Sequence, residues 1–570
     1  MKLRVKQRAL GWALAAIAFA CTMCNQRSVG IARDETVYMS AGAHYADWWL
    51  RLATSGVGID GKTITSTFGG APGGASNSEH PPLMKTADGL SHWLLADKLG
   101  VVDELTAFRV PTALAHAALV VMVYTMTLEL WGLAEAVLAV LCLLLLPRAL
   151  FHAGLAAFDA PIMTMWFATI YAYWRCLDRT ASPSGDAAGP GRARGAAGRK
   201  WPWQVGVAFG LALATKHNAV LLPVALGEHY SVLAVRHYGW RPLLAAPLGL
   251  FAYRGRVVLS LVLLGPLVLV VLWPWLWLDP IGHVADWLSF HFKHVHYNYE
   301  YLGENWNALR FPWHVALVTT LFTAPVVTLV AAALGAGVWI AAGWRRATLD
   351  RLPTLLLGLS AAASIGPFFL GSTPIFGAEK HWMTALPTIC IAAGVGAVWA
   401  ARRASQFAIA RWHVSEPLAR ITALGVVSIA IVVAAGTETL ASRPYALSWY
   451  NAAAGGVPGG ADLGMNRQFW GVAARGVLPF IATQPPGPVY SHDASPAWGW
   501  YKKLGLLPAG YPDSGNEVAG IERSKLALVI HELHFNRHDY LIWKSYGTVQ
   551  PAFVLRFDGV PIVSVYERPK

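Results

Sequence analysis

Apolar runs of about twenty residues, the length a helix needs to cross a hydrocarbon core, alternate with short polar segments through the first 440 residues. Their unbroken apolarity fits membrane spans better than the one-sided faces of surface helices. About eleven spans are expected by that length rule, at roughly 9–29, 107–129, 132–147, 160–177, 203–215, 218–235, 257–278, 313–341, 354–371, 382–400 and 421–440. Two long polar stretches lie between them, 30–106 and 279–312. In the first, the Gly/Ser/Thr-rich middle from Thr54 to Ser78 reads as a mobile loop, and Leu83 to Leu99 has apolar residues at near-helical spacing, suited to the membrane interface. Residues 178–202, with Ser182-Pro183-Ser184-Gly185, read as a flexible linker.

After residue 441 the texture changes. Pro-Gly clusters alternate with short strand-like runs at Pro488–Tyr490, Leu526–Ile530, Tyr540–Trp543, Ala552–Phe557 and Val560–Tyr566, with a helix expected near 465–482. The expected fold is a polytopic α-helical membrane protein over residues 1–440 followed by an α/β domain over 441–570. No internal sequence repeat is visible.

Composition agrees. The chain of 570 residues is 55% hydrophobic and 14% charged, with 26 Trp, and its mean hydropathy is +0.42. A soluble protein carries roughly 25% charged residues. The formal charge of +13 suits nucleic acid only until its location is read. With the N-terminus in the cytoplasm, the inner segments hold 20 Lys and Arg and the outer loops between residues 107 and 440 hold 5: Arg148, Lys216, Lys293, Arg310 and Lys380. That is the positive-inside bias, so the charge sets topology and a nucleic-acid partner is not expected. An odd number of spans then places 441–570 outside. The first apolar run is expected to be an uncleaved helix rather than a leader peptide. The five cysteines lie in or beside apolar spans, so no disulfide framework is implied, and Cys21-x-x-Cys24 has no second pair to make a metal site.

Candidate chemistry gathers at the outer ends of the spans. Asp34-Glu35 follows the first span, and Glu79-His80-Pro81-Pro82-Leu83-Met84-Lys85 places an acid and two basic groups on a Pro-stiffened turn in the same loop. Arg148 and Asp159 flank the outer end of the third and fourth spans. An ionisable group at the membrane edge is a functional candidate, although a carboxylate there also caps a helix. Lys216 lies between two short apolar spans, where it either snorkels or meets a lipid phosphate. The second loop is dense in His and Tyr and leads into Glu300-Tyr301. His291-x-x-His294-x-His296 matches no standard zinc spacing, so no metal is expected there; a divalent metal is the weaker alternative. Glu379-Lys380-His381 forms a further polar outer segment. Two carboxylates with several cations suit proton removal from a hydroxyl and stabilisation of a departing phosphate.

The ordered set Asp34-Glu35, His80-Pro81-Pro82-Leu83-Met84-Lys85 and Asp159 resembles the protein O-mannosyltransferases and their bacterial relatives, the GT-C membrane glycosyltransferases of family 39, which include the aminoarabinose transferases. Thr215-Lys216, Glu300-Tyr301-Leu302-Gly303, Gly377 to Trp382 and Ser448 to Gly456 are similar to bacterial members. The resemblance implies a GT-C fold and Asp34 as the base that activates the acceptor; Glu35 and Asp159 are expected as further catalytic positions. It also implies Lys85 and His80 as donor-phosphate ligands; from its position Lys216 is expected to join them, and Glu79, Arg148, Glu300, Tyr301, Glu379, Lys380 and His381 are expected as acceptor-binding or orienting groups.

The expected activity is inverting transfer of a sugar from a polyprenyl phosphate to an extracytoplasmic hydroxyl or phosphate of an envelope lipid, glycan or protein. The expected place is the bacterial inner membrane, with the C-terminal domain periplasmic. The C-terminal part lacks the β-trefoil repeats of the eukaryotic enzymes. A non-catalytic scaffold of the same fold and a membrane transporter are the alternatives; a transporter predicts inverted repeats and broken mid-membrane helices, which the sequence does not show.

Overall fold

The computed structural model describes residues 2–56, 58–70, 76–178, 201–241, 249–294, 298–345, 352–375 and 377–569. The linker expected at 178–202 and His296 therefore lie almost wholly or wholly outside the described residues. Helices dominate: α1 (Lys2–Gln26), α2 (Arg33–Ser55), α3 (Gly61–Phe68), α4 (Leu83–His92), α5 (Glu104–Leu130), α6 (Leu133–Leu144), α7 (Pro147–Ala153) and α8 (Asp159–Asp178), then a further series running to Glu416–Ala441. Among the described residues, seven helices are long and apolar enough to cross a membrane, or eight if α6 and α7, bent by 72°, form one span. The protein is a multi-pass α-helical membrane protein.

The remaining expected spans differ for local reasons. The run 132–147 bends where Pro147 opens α7, because proline cannot donate within a continuing helix. The run 313–341 is broken into Val315–Thr323 and Val326–Arg345 around Pro325, and 203–215 is a short helix. The most deeply packed span is Met383–Trp412, which lies against α6 and Val326–Arg345.

The first loop is more ordered than its composition suggests. Asp34-Glu35 opens the 23-residue helix α2. Within Thr54–Ser78, α3 forms with Asp60 as its N-cap, accepting from the Thr63 amide at 2.9 Å, and buries Ile64 and Phe68. Helices α2 and α4 cross at two glycines. A Cβ on Gly42 would lie 2.4 Å from the Lys85 carbonyl oxygen, and one on Gly89 would lie 1.9 Å from that of Gly42. Only residues without a side chain permit this approach, which fixes the turn before α4 against the start of α2.

In the second loop, β1 (Tyr299–Tyr301) and β2 (Glu304–Trp306) form an antiparallel hairpin. Its two-residue turn, Leu302-Gly303, has φ of 50° and 84°, the positive values such tight hairpins favour.

The C-terminal region holds β3 (Val489–Tyr490), β4 (Leu526–Ile530), β5 (Phe553–Phe557) and β6 (Val560–Glu567), in the order β3-β4-β6-β5. β3 and β4 are parallel and the other pairs antiparallel. The strand expected at Tyr540–Trp543 is instead inside the helix Asn536–Tyr546, which buries Ile542 and Tyr546 one turn apart; a four-residue apolar run does not distinguish the two periods. The helix expected near 465–482 is reduced to a 3-10 turn, Val472–Val477, and Leu478–Ile481. The sheet's inner residues Leu528, Ile530, Val563 and Val565 share one core with Ile31, Met39, Leu105 and Phe108. The C-terminal region thus packs directly on the starts of α2 and α5, over the polar groups of the first loop.

Candidate active site

Asp34 stands in the first turn of α2, and its place is set by its neighbour. Glu35 is fully buried. Its Oε1 accepts from Arg109 Nε at 2.7 Å and the Ala156 amide at 2.8 Å. Its Oε2 accepts from Arg109 Nη2 at 2.8 Å and the Ala32 amide at 3.2 Å. Arg109, in α5, also donates to the carbonyl oxygens of Gln26 and Gly30 at 3.1 and 2.9 Å. The end of α1, the start of α2, α5 and the loop before α8 are tied through one guanidinium–carboxylate fork. Glu35 has no oxygen left for substrate, which corrects the expectation of a catalytic Glu35: it is a positioning residue. Arg109 was missed, although a lone Arg inside an apolar span was a visible signal.

Asp34 itself is held loosely. Its Oδ2 accepts from Trp470 Nε1 at 2.8 Å, and Lys380 Nζ lies 3.9 Å from the same oxygen. Lys380 also sits 4.1 Å from the Trp470 ring centroid. Arg33 donates to Asp493 at 2.8 Å and approaches Asp34 Oδ1 at 3.4 Å. The Asp34 side chain is 27% exposed, unlike Glu35, so a solvent-borne group can reach it. Sequence pattern flags neither Trp470 nor Asp493, because nothing local marks residues more than 400 positions away as partners of this segment; Arg33, adjacent to Asp34, was also not singled out.

Asp34 borders two cavities. One, of about 390 Å³, has Trp166, Leu221, Leu288 and Phe368 on its apolar side and Asp159, Lys216, His80 and Lys380 at its polar end. There Lys216 Nζ donates to Asp159 Oδ1 at 2.6 Å, both side chains nearly inaccessible. The other, of about 590 Å³, is more polar and reaches under the C-terminal region, with Arg33, Glu79, Trp470, Asp493 and Glu532 in its walls. Asp34, Tyr38, His80, His294 and Lys380 line both.

The remaining expected site residues divide cleanly. Asp159, Lys216, His80, Glu79, Lys380 and His381 line one cavity or the other. Lys85 does not. Its buried ammonium donates to the Asn77 and His80 carbonyl oxygens at 2.6 and 2.8 Å and to Asn77 Oδ1 at 3.0 Å. It is spent on the turn that presents His80, which corrects its assignment as a phosphate ligand. Burial pushes that ammonium down to about 7, Glu79 opposing the shift. Arg148 and Glu379 pair with each other at 2.7 Å, with Arg148 also on the Leu447 and Trp449 carbonyl oxygens. They brace the segment behind Lys380 and do not face either cavity. Tyr301 bonds His314 at 2.6 Å, and Glu300 accepts from the Leu533 amide, joining the hairpin to the C-terminal region. Those four are corrected to structural roles.

Burial governs the ionisable groups. It lowers the Lys380 ammonium to about 8, with Asp34 and Asp159 opposing the shift, so Lys380 is mostly charged at neutral pH. Burial, reinforced by His291 and Lys85, holds His80 well below the usual histidine range and therefore neutral. Burial raises Glu300 to about 7, and burial with Asp493 and Glu300 raises Glu532 well above the carboxylate range.

Two groups among the described residues bring three possible ligand atoms within 4.8 Å: His80, His217 and His291; and Glu300, Glu532 and His534. The His217 and His291 rings are stacked, 3.7 Å between centroids and 18° between planes. Parallel rings that close cannot both aim an in-plane lone pair at one ion, so the first group does not fit a metal without a rotamer change.

Residues 84–276 match the family model of dolichyl-phosphate-mannose-protein mannosyltransferase, a stretch that contains Asp159 and Lys216 but begins after Asp34 and His80. No curated protein matches the sequence significantly. Among solved structures, archaeal oligosaccharyltransferase AglB from Archaeoglobus fulgidus, in complex with an inhibitory peptide and a dolichol-phosphate, is similar at a TM-score of 0.50 and 10% identity over 95% of this chain and 71% of that one. ArnT from Cupriavidus metallidurans bound to undecaprenyl phosphate is similar at a TM-score of 0.47 and 16% identity over 97% of both chains. The AglB likeness bears on the fold alone, and the family match covers residues 84–276: the chain has a GT-C-type membrane fold and is similar over that stretch to the protein mannosyltransferases.

Proposed function

We propose that this chain is an inverting glycosyltransferase that moves a sugar from a polyprenyl phosphate to an extracytoplasmic acceptor on an envelope lipid, glycan or protein. The observation that carries the reading is Asp34, reachable and set between an apolar cavity with cations at its end and a polar cavity. A lipid phosphate fits the first, its tail along Trp166, Leu221 and Phe368 and its phosphate toward Lys216, His80 and Lys380. The acceptor fits the second. Asp34 takes the proton as the acceptor oxygen attacks the anomeric carbon. The bond from that carbon to the phosphate oxygen breaks, and its electron pair stays on the phosphate beside Lys216 and Lys380. Asp159 orients Lys216. The printed ligands of AglB and ArnT, dolichol-phosphate and undecaprenyl phosphate, agree with a lipid-phosphate donor.

Lys216→Ala is expected to weaken undecaprenyl phosphate binding about ten- to a hundredfold, the worth of a charge-assisted hydrogen bond of about 1.5–3 kcal/mol. Native mass spectrometry of the folded variant checks this, and unchanged binding removes Lys216 from the donor site.

The charge asymmetry also supports a cytoplasmic N-terminus, a bacterial cytoplasmic membrane and a periplasmic C-terminal domain at 441–570. A periplasm-dependent reporter fused after residue 440 is expected to be active and one near residue 190 silent; the reverse pattern inverts the topology and the site with it.

A further inference from the structure

The walls of the polar cavity constrain what the acceptor can be. Three carboxylates, Asp34, Glu79 and Asp493, face two cations, Arg33 and Lys380, while burial and its acidic neighbours push the fourth acid, Glu532, toward its neutral form. Both cations already answer carboxylates: Arg33 bridges Asp493 and Asp34, and Lys380 lies between Asp34 and the Trp470 ring. An acceptor phosphate entering here adds negative charge to a surplus of it, and like charges brought together oppose binding.

The same walls suit hydroxyl groups. Glu532 is buried and its Oε1 has no hydrogen-bond partner among the described residues. Asn298 adds an amide, and Trp470 and Phe535 add flat apolar faces. A pyranose ring has apolar C–H faces and a hydroxyl rim, and a cavity of aromatic planes with a few placed polar groups is complementary to it. None of the residues in these walls belongs to a strand, so a peptide backbone finds no sheet edge to join.

We infer that the acceptor is the hydroxyl of an uncharged saccharide, held against Trp470 and Phe535 with Glu532 on its hydroxyl rim, and that phosphate acceptors are excluded. This rests on the proposed transferase reading and narrows its acceptor.

The test uses the purified full chain in detergent and saturation-transfer NMR. The probes are neutral trisaccharides of glucose, galactose and mannose, the 6-phosphate of each, and a Ser/Thr-rich peptide. At least one neutral trisaccharide is expected to bind, with its phosphorylated form weaker by about tenfold or more. Glu532→Ala and Phe535→Ala are each expected to weaken it about tenfold, the scale of one buried hydrogen bond or aromatic contact. Undecaprenyl phosphate binding, followed in parallel by native mass spectrometry, should be unchanged in both variants. Preference for the phosphorylated sugar or the peptide overturns the inference, as does trisaccharide binding indifferent to both substitutions. Retained lipid-phosphate binding with no saccharide binding overturns this inference alone. Loss of lipid-phosphate binding by the unaltered chain overturns the transferase reading beneath it.

Discussion

Asp34→Asn is expected to lower the turnover of sugar transfer by about 10²–10⁴-fold, the usual worth of a positioned general base, while donor binding and expression stay as they were. The amide keeps the size of the carboxylate and can still accept from Trp470, whose indole nitrogen lies 2.8 Å from Oδ2. It cannot take a proton. Because the side chain is partly exposed and Glu35 carries the structural ties, the loss should fall on turnover and leave folding alone. A variant that turns over normally removes Asp34 from the chemistry.

The second large effect is on folding. Glu35→Ala leaves the Arg109 guanidinium buried without its counter-charge, and Arg109→Met leaves the Glu35 carboxylate in the same position. Breaking a buried pair from one side costs about 3–5 kcal/mol, whereas replacing both partners by apolar residues of similar volume is often nearly neutral. Each single variant should therefore lose most of its monodisperse, folded fraction on heating in detergent, and the combined Glu35→Leu, Arg109→Met variant should recover a large part of it. Singles as stable as the unaltered chain would show that the fork does not hold α1, α2 and α5 together. Recovered stability with poor turnover would still fit, because Asp34 depends on that fork for its position.

The sequence made legible whatever depends on local pattern. Span positions follow from apolar length, and β4, β5 and β6 from short apolar runs bounded by turn residues. The site was legible where a motif sat on one segment: Asp34, His80, Asp159 and Lys216 all line the cavities. It failed where the direction of a side chain decides the role. Lys85 belongs to the same motif as His80, yet the close crossing of α2 and α4 turns it inward onto Asn77. Arg148 and Glu379, 231 residues apart, neutralise each other, so neither is offered to a ligand. The C-terminal contribution of Trp470, Asp493 and Glu532 was invisible for a different reason. It arises from the packing of a distant region over the start of α2, and no spacing rule reports such a contact.

The most direct test of the account is transfer by purified protein, unaltered and Asp34→Asn, given the same labelled sugar either on undecaprenyl phosphate or on a nucleoside diphosphate, with a neutral trisaccharide acceptor. The account predicts transfer from the lipid phosphate only, with release of one undecaprenyl phosphate per product and its loss in the Asp34→Asn protein. Transfer from the nucleotide sugar, or lipid-dependent transfer that survives Asp34→Asn, would contradict it.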